Sequence, residues 1–128
     1  MFDVIWLILA VILGMLHLGI AAWMAERQRP RDWGVGPRDT PMPAQGAAAR
    51  LERAYHNFME TFPLFAAALL AVMVQNKSGG LSHAGAILYV AARIVYVPLY
   101  AFGVKYLRSL AWGVAVLGIV LLVVAALR

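Results

Sequence analysis

The chain contains no cysteine. A small scaffold stapled by disulfides is therefore excluded, and any thiol chemistry must use a thiol that arrives with a bound molecule. Charge is scarce as well. Asp, Glu, Lys and Arg make up 13% of the residues, about half the roughly 25% usual in soluble domains. A solvated, disordered chain needs far more. Apolar residues fill the place of charge, at 63% of the 128 positions. A soluble domain this small leaves much of its surface exposed and could not hide so much apolar area. The composition is that of one integral membrane domain. No internal repeat or low-complexity segment is present.

Hydrocarbon about 30 Å thick requires roughly 20 helical residues. Four stretches meet this: residues 4–25, 47–75, 81–103 and 109–127. His17 is the only strongly polar side chain of the first, Asn57 and Glu60 interrupt the apolar part of the second (about Tyr55 to Val74), Arg93 interrupts the third, and the fourth carries no charge. The fold expected is an all-α, four-helix transmembrane bundle forming a single domain over residues 1–128. The first span lacks a positive n-region and a small-residue cleavage signal, so it reads as a retained helix. Pro30, Pro37, Pro41 and Pro43 rule out a continuous helix across residues 26–46. The alanine-rich run that follows is helix-forming and should start the second helix near Ala47, a turn or two before the membrane. Ser82 is placed to cap the third helix, and Pro63 and Pro98 should act as simple kinks. Trp6, Trp23 and Trp112 near span ends read as interfacial anchors. His17 reads as an interhelical hydrogen-bonding residue.

Lysine and arginine placement sets orientation. Arg27, Arg29, Arg31, Arg38, Arg50 and Arg53 lie in or next to the first connection, and Lys105 and Arg108 in the third. The opposite side has only Lys77 and Arg128. Loops 26–46 and 104–108 are thus expected in the cytoplasm and both termini outside. The basic balance follows from this asymmetry. It does not point to nucleic acid, since no basic stripe interleaved with exposed aromatics lies outside the membrane.

Ionisable residues inside a span are costly and normally face the bundle interior or a wet cavity. Arg53, His56, Asn57 and Glu60 follow at i, i+3, i+4 and i+7, one stripe of the second helix. Tyr89, Arg93, Tyr96 and Tyr100 follow at i, i+4, i+7 and i+11, one stripe of the third. Glu60 is ten residues beyond Arg50 and Arg93 ten before Gly103, so both lie about 15 Å from the cytoplasmic ends of their helices. Acid and base at equal depth should either pair or share a ligand. Arg53, Arg93, Lys105 and Arg108 outnumber Glu60 along the expected wall, which favours a pocket for an anion, because an unpaired buried cation is costly. His56 and Glu60 at i, i+4 are too few to hold a metal, so no metal site is expected.

Residues 53–65, RAYHNFMETFPLF, resemble the signature of the MAPEG family, the membrane-associated proteins in eicosanoid and glutathione metabolism. The matching elements are Arg53, Ala54, Asn57, Glu60 and Phe62-Pro63-Leu64-Phe65. Residues 92–100, ARIVYVPLY, are similar to the second signature through Arg93, Tyr96 and Tyr100, and the Arg108-Ser109 pair follows as in several members. The resemblance implies a homotrimer that holds glutathione, as cosubstrate, between neighbouring subunits near the cytosolic face. It makes Arg53, Asn57, Glu60, Arg93, Tyr96 and Tyr100 glutathione-binding, adds Arg27 (or Arg29 in its place) from the end of the first helix, and makes Arg108 the catalytic, thiol-activating residue. Tyr55 and His56 receive no role from it. The implied function is a membrane-bound glutathione transferase or peroxidase-type enzyme that activates the thiolate for attack on an apolar electrophile arriving through the lipid. The bacterial inner membrane is the expected location. The alternatives are a non-catalytic member of the same family that binds lipid or a partner, and a small proton-coupled exporter. The strong charge bias and the cation opposite Glu60 speak against the exporter.

Overall fold

The computed structural model describes residues 1–128 and is helical apart from its connections. The helices are α1 (Phe2–Glu26), α2 (Arg31–Val35), α3 (Gly46–Val74), α4 (Gly80–Ala101) and α5 (Leu107–Leu127). All but α2 are long and apolar enough to cross a membrane. At 1.5 Å per residue the 29 residues of α3 reach about 43 Å, well beyond the hydrocarbon. Both α3 and α4 run unbroken through their internal prolines, Pro63 and Pro98. Neighbouring helices make that tolerable in lipid.

The connections are built by local chemistry. α3 ends with Asn76 in the left-handed region (φ 56°), the Asn76 amide donating to the Met73 carbonyl and the Lys77 amide to the Val72 carbonyl. α4 ends in the same way at Gly103 (φ 69°), with Gly103 bonded to Tyr100 and Val104 to Leu99. This pair of bonds satisfies carbonyls that a helix end otherwise orphans. Ser82 serves the α4 start from inside the first turn: its Oγ accepts from the Gly79 amide and donates to the Gly79 carbonyl, both at 3.0 Å. On the proline-rich side, Pro30 precedes α2 and Gly36 ends it. Gln28 and Gln45 exchange two hydrogen bonds that close the loop, and Arg29 donates to the Met42 carbonyl at 2.7 Å and meets Glu52 at 3.4 Å.

Lipid tails are as apolar as leucine, so helices in a membrane associate through close packing rather than through water exclusion. α4 and α5 meet backbone to backbone where Gly85 faces Gly118. Around this point lie Ala86, Tyr89, Val90, Ala115, Ile119 and Leu122, joined from α3 by Phe58, Phe65 and Leu69 and from α1 by Ala10. Phe65 stacks on Tyr89 with ring centroids 4.1 Å apart. The Tyr89 hydroxyl shares a 2.9 Å hydrogen bond with Thr61 Oγ1, fixing α4 against α3. Tyr89→Phe should cost about 1 kcal/mol, because Thr61 keeps its second bond to the Phe58 carbonyl. Thermal denaturation in detergent would read this as a small drop in midpoint.

His17 is buried, yet neither ring nitrogen has a hydrogen-bond partner. The expected interhelical hydrogen bond is reduced to a weak approach to the Leu51 backbone of α3. The ring is held by aromatic packing instead, edge-on to Tyr55 at 5.7 Å and tilted against Phe58 at 6.2 Å. At the opposite membrane end from the proline-rich loop, Lys77 donates to the Ala126 carbonyl at 2.7 Å and ties the α3–α4 turn to the end of α5.

Candidate functional site

The polar stripe of α3 comes to the surface where α4 ends and α5 begins. The chain leaves α4 through Gly103 and enters α5 at Tyr106, whose φ of 62° and ψ of −54° let the Leu107 amide bond the Lys105 carbonyl at 2.7 Å. That is the rare form of a γ-turn. It reverses the chain tightly enough to place Arg108 beside Tyr100, one helix back. Arg50 holds the same corner from α3, its Nε donating to the Ala101 carbonyl at 2.8 Å.

The result is a cleft of about 460 Å³ lined by Arg53, His56, Asn57, Glu60, Tyr96, Tyr100, Arg108, Ser109 and Trp112. Its size lies within the roughly 300–1,000 Å³ typical of small-molecule sites. Guanidinium groups and phenol rings alternate along its back wall. The Arg108 guanidinium lies 4.6 Å from the centre of the Tyr100 ring, and Arg53 Nε donates to the Tyr100 hydroxyl at 3.3 Å. Tyr96 lies 5.5 Å from Tyr100 and carries the Arg93 guanidinium on its ring at 4.3 Å. Cation–π contacts of this kind hold arginines in place while leaving their N–H groups free for an anion. Arg53 and Arg108 line the cleft, Arg93 lies behind it, and Glu60 is the only acid on it, so the site carries a surplus of positive charge.

The structure brings together Arg53, Asn57, Glu60, Tyr96, Tyr100 and Arg108 from the sequence-predicted set. It does not bring the rest. Arg27 turns onto the Trp23 ring, 4.7 Å from its centre, and does not reach the cleft. Its substitute, Arg29, is engaged by Met42 and Glu52 and lines a separate cavity of about 250 Å³ beside Trp33 and Arg38. Within one chain neither of them lines the cleft. Lys105 is not on the wall either. Arg93 is 1% exposed and sealed behind the cleft, and it forms no ion pair with Glu60. The hydrogen-bond acceptor that Arg93 meets is Asn57, at 2.8 Å. Tyr89, on the same sequence stripe, turns instead to Thr61.

Three lining residues were not assigned from the sequence. His56 was on the polar stripe, and its spacing from Arg53 and Glu60 already placed it on the same face. Ser109 and Trp112 follow Arg108 by one and four residues, so the helical repeat puts Trp112 on the Arg108 side of α5. An indole near a span end reads equally well as a membrane anchor, and the sequence offers no way to separate the two.

Compared with known proteins, the chain matches the model of the MAPEG family over residues 6–128, nearly its whole length. No curated protein matches it.

Proposed function

This chain belongs to the MAPEG family, and on that premise we propose that the α3–α4–α5 cleft binds glutathione and activates its thiol for attack on an apolar electrophile. The observation that carries the reading is the convergence of Arg53 and Arg108, backed by Arg93, on a cleft whose only acid is Glu60. Glutathione has two carboxylates, an ammonium and a thiol. Guanidinium groups clamp carboxylates in a fixed fork, and Glu60 is the group available to the ammonium. A free thiol ionises near pH ~8.5, and a neighbouring guanidinium lowers that value and raises the nucleophilic fraction. Arg108 is the residue assigned to this work, since its guanidinium is held in the cleft by Tyr100.

The second substrate comes from the lipid. Trp112 is 42% exposed and lies on the same wall as Arg108, giving an apolar molecule a surface beside the thiol. The thiolate sulfur would form a bond to the electrophilic carbon, and the leaving group would depart with its electron pair. The bundle lies with loops 26–46 and 104–108 in the cytoplasm and both termini outside, as the arginine placement favours, in a bacterial inner membrane. Three copies assemble, as the family likeness implies, over the open side of the cleft.

The test is a glutathione binding isotherm on detergent-purified protein, repeated with Arg53→Ala. Charge-assisted hydrogen bonds contribute about 1.5–3 kcal/mol, so the variant should bind roughly 10- to 100-fold more weakly. Absence of saturable binding by the wild-type protein would overturn the reading. Binding without turnover of any electrophile would leave a glutathione-binding membrane protein that does no chemistry.

A further inference from the structure

Arg93 is among the most deeply buried side chains of the molecule, at 1% exposed, and its guanidinium carries five N–H donors. Only one of its three nitrogens finds an acceptor. Nη1 donates to Asn57 Oδ1 at 2.8 Å, whereas Nε and Nη2 are buried with no partner. Its other close neighbours are the rings of Tyr96 at 4.3 Å and Phe58 at 5.5 Å. The Asn57 carbonyl oxygen is thus the sole hydrogen-bond acceptor this buried cation meets.

That fact decides which way the Asn57 amide faces. Turned over, the amide would point its NH2 group at a guanidinium, donor against donor, and leave a buried cation with no acceptor at all. Oδ1 is therefore locked inward, and Nδ2 is left for the cleft, which Asn57 lines and Arg93 does not. Nδ2 makes no hydrogen bond within the protein and is not sealed from the surface.

We propose that Arg93 is a positioning residue and not a ligand-binding one: it fixes Asn57 as an N–H donor, and so assigns that part of the cleft to an acceptor oxygen, a carboxylate or a carbonyl, of the bound anion. The inference rests on the glutathione reading above but makes a separate claim within it. It also explains why a cation at this depth is kept out of contact with Glu60. A pair with Glu60 would leave the amide free to turn.

The experiment is a double-mutant cycle on glutathione affinity, using purified wild-type protein, Asn57→Ala, Arg93→Met and the double variant. If Arg93 acts through Asn57, each single change weakens binding about 10-fold, the size of one lost hydrogen bond to a charged group, and the double variant binds no more weakly than Asn57→Ala alone. If Arg93 touches the ligand itself, the two losses multiply and the proposal is overturned. Arg93→Lys, which keeps a cationic donor for Oδ1, should restore most of the affinity. Asn57→Asp gives a second test that does not depend on Arg93→Met folding. It pairs better with Arg93 yet presents oxygen to the cleft, so it should bind more weakly than Asn57→Ala, and wild-type affinity there would overturn the proposal. Lack of glutathione binding by the wild-type protein would sink the earlier reading and this one with it. Wild-type binding with multiplicative losses would sink this one alone.

Discussion

Arg108→Ala is expected to slow thiol conjugation roughly 8- to 25-fold at neutral pH while changing glutathione affinity much less. Arg108 is held by its contact with the Tyr100 ring, 4.6 Å from the centre, and lines the cleft next to Ser109. A guanidinium at such a position acts on the thiol by favouring its charged form. Each unit by which the thiol pKa falls multiplies the thiolate fraction about tenfold at pH values below the pKa and corresponds to about 1.4 kcal/mol. With about 3% of an ordinary thiol ionised at pH 7, losing one to two units would therefore slow the reaction roughly 8- to 25-fold. The sign can be checked with pH. The shifted thiolate is an advantage only below the ordinary thiol pKa, so the deficit of Arg108→Ala should shrink as pH rises through about 8.5. Steady-state rates against pH, with glutathione saturating, test both features. An undiminished rate at intact affinity would remove Arg108 from the mechanism.

Gly118→Val should strongly destabilise the bundle. A Cβ at position 118 would lie 2.6 Å from the Gly85 carbonyl oxygen and 2.8 Å from the Tyr89 amide nitrogen. The obstacle is reciprocal, since a Cβ at Gly85 would lie 2.7 Å from the Gly118 carbonyl oxygen. These are backbone atoms and cannot swing aside, so α4 and α5 must separate. Overpacking typically costs about 1–3 kcal/mol where side chains can adjust, and a backbone clash should lie at or above the top of that range. The cleft would suffer too, because Tyr100 of α4 and Arg108 of α5 share one wall. Gly113→Val is the matched control on the same helix, where a Cβ meets nothing within 4 Å. Thermal unfolding in detergent should separate the two variants clearly, with Gly113→Val close to wild type. Equal midpoints would show that the Gly85–Gly118 contact does not govern how these helices pack.

The four apolar spans, the break between the first two and the two polar stripes are all legible in the chain, because hydropathy and helical periodicity are properties of consecutive residues. The family signature on residues 53–65 and 92–100 is legible for the same reason, and the match over residues 6–128 agrees with it. Counting residues also puts Glu60 and Arg93 at one expected level along their helices. Rotation could not. Which face of α4 meets α3 depends on how helices distant in sequence roll against one another.

The case of Arg93 shows the difference. A stripe of Tyr89, Arg93, Tyr96 and Tyr100 reads as one polar face directed at one pocket. In the structure that face is divided among several neighbours. Tyr89 is drawn to Thr61 and stacked on Phe65, Arg93 is buried against Asn57, and Tyr96 and Tyr100 alone reach the cleft. The arginines after α1 show it again. Charge counting puts Arg27 and Arg29 on the same side as the expected wall, but the loop's own hydrogen bonds and Trp23 decide where they point within the chain. By itself, the sequence determined how many helices are long and apolar enough to cross a membrane and which residues they carry, since each of these is set along a single chain. Only the tertiary structure decided which polar groups meet. The roll of α4 is set by a glycine contact with α5 and an aromatic stack on α3, and contacts of that kind form only when distant segments pack together.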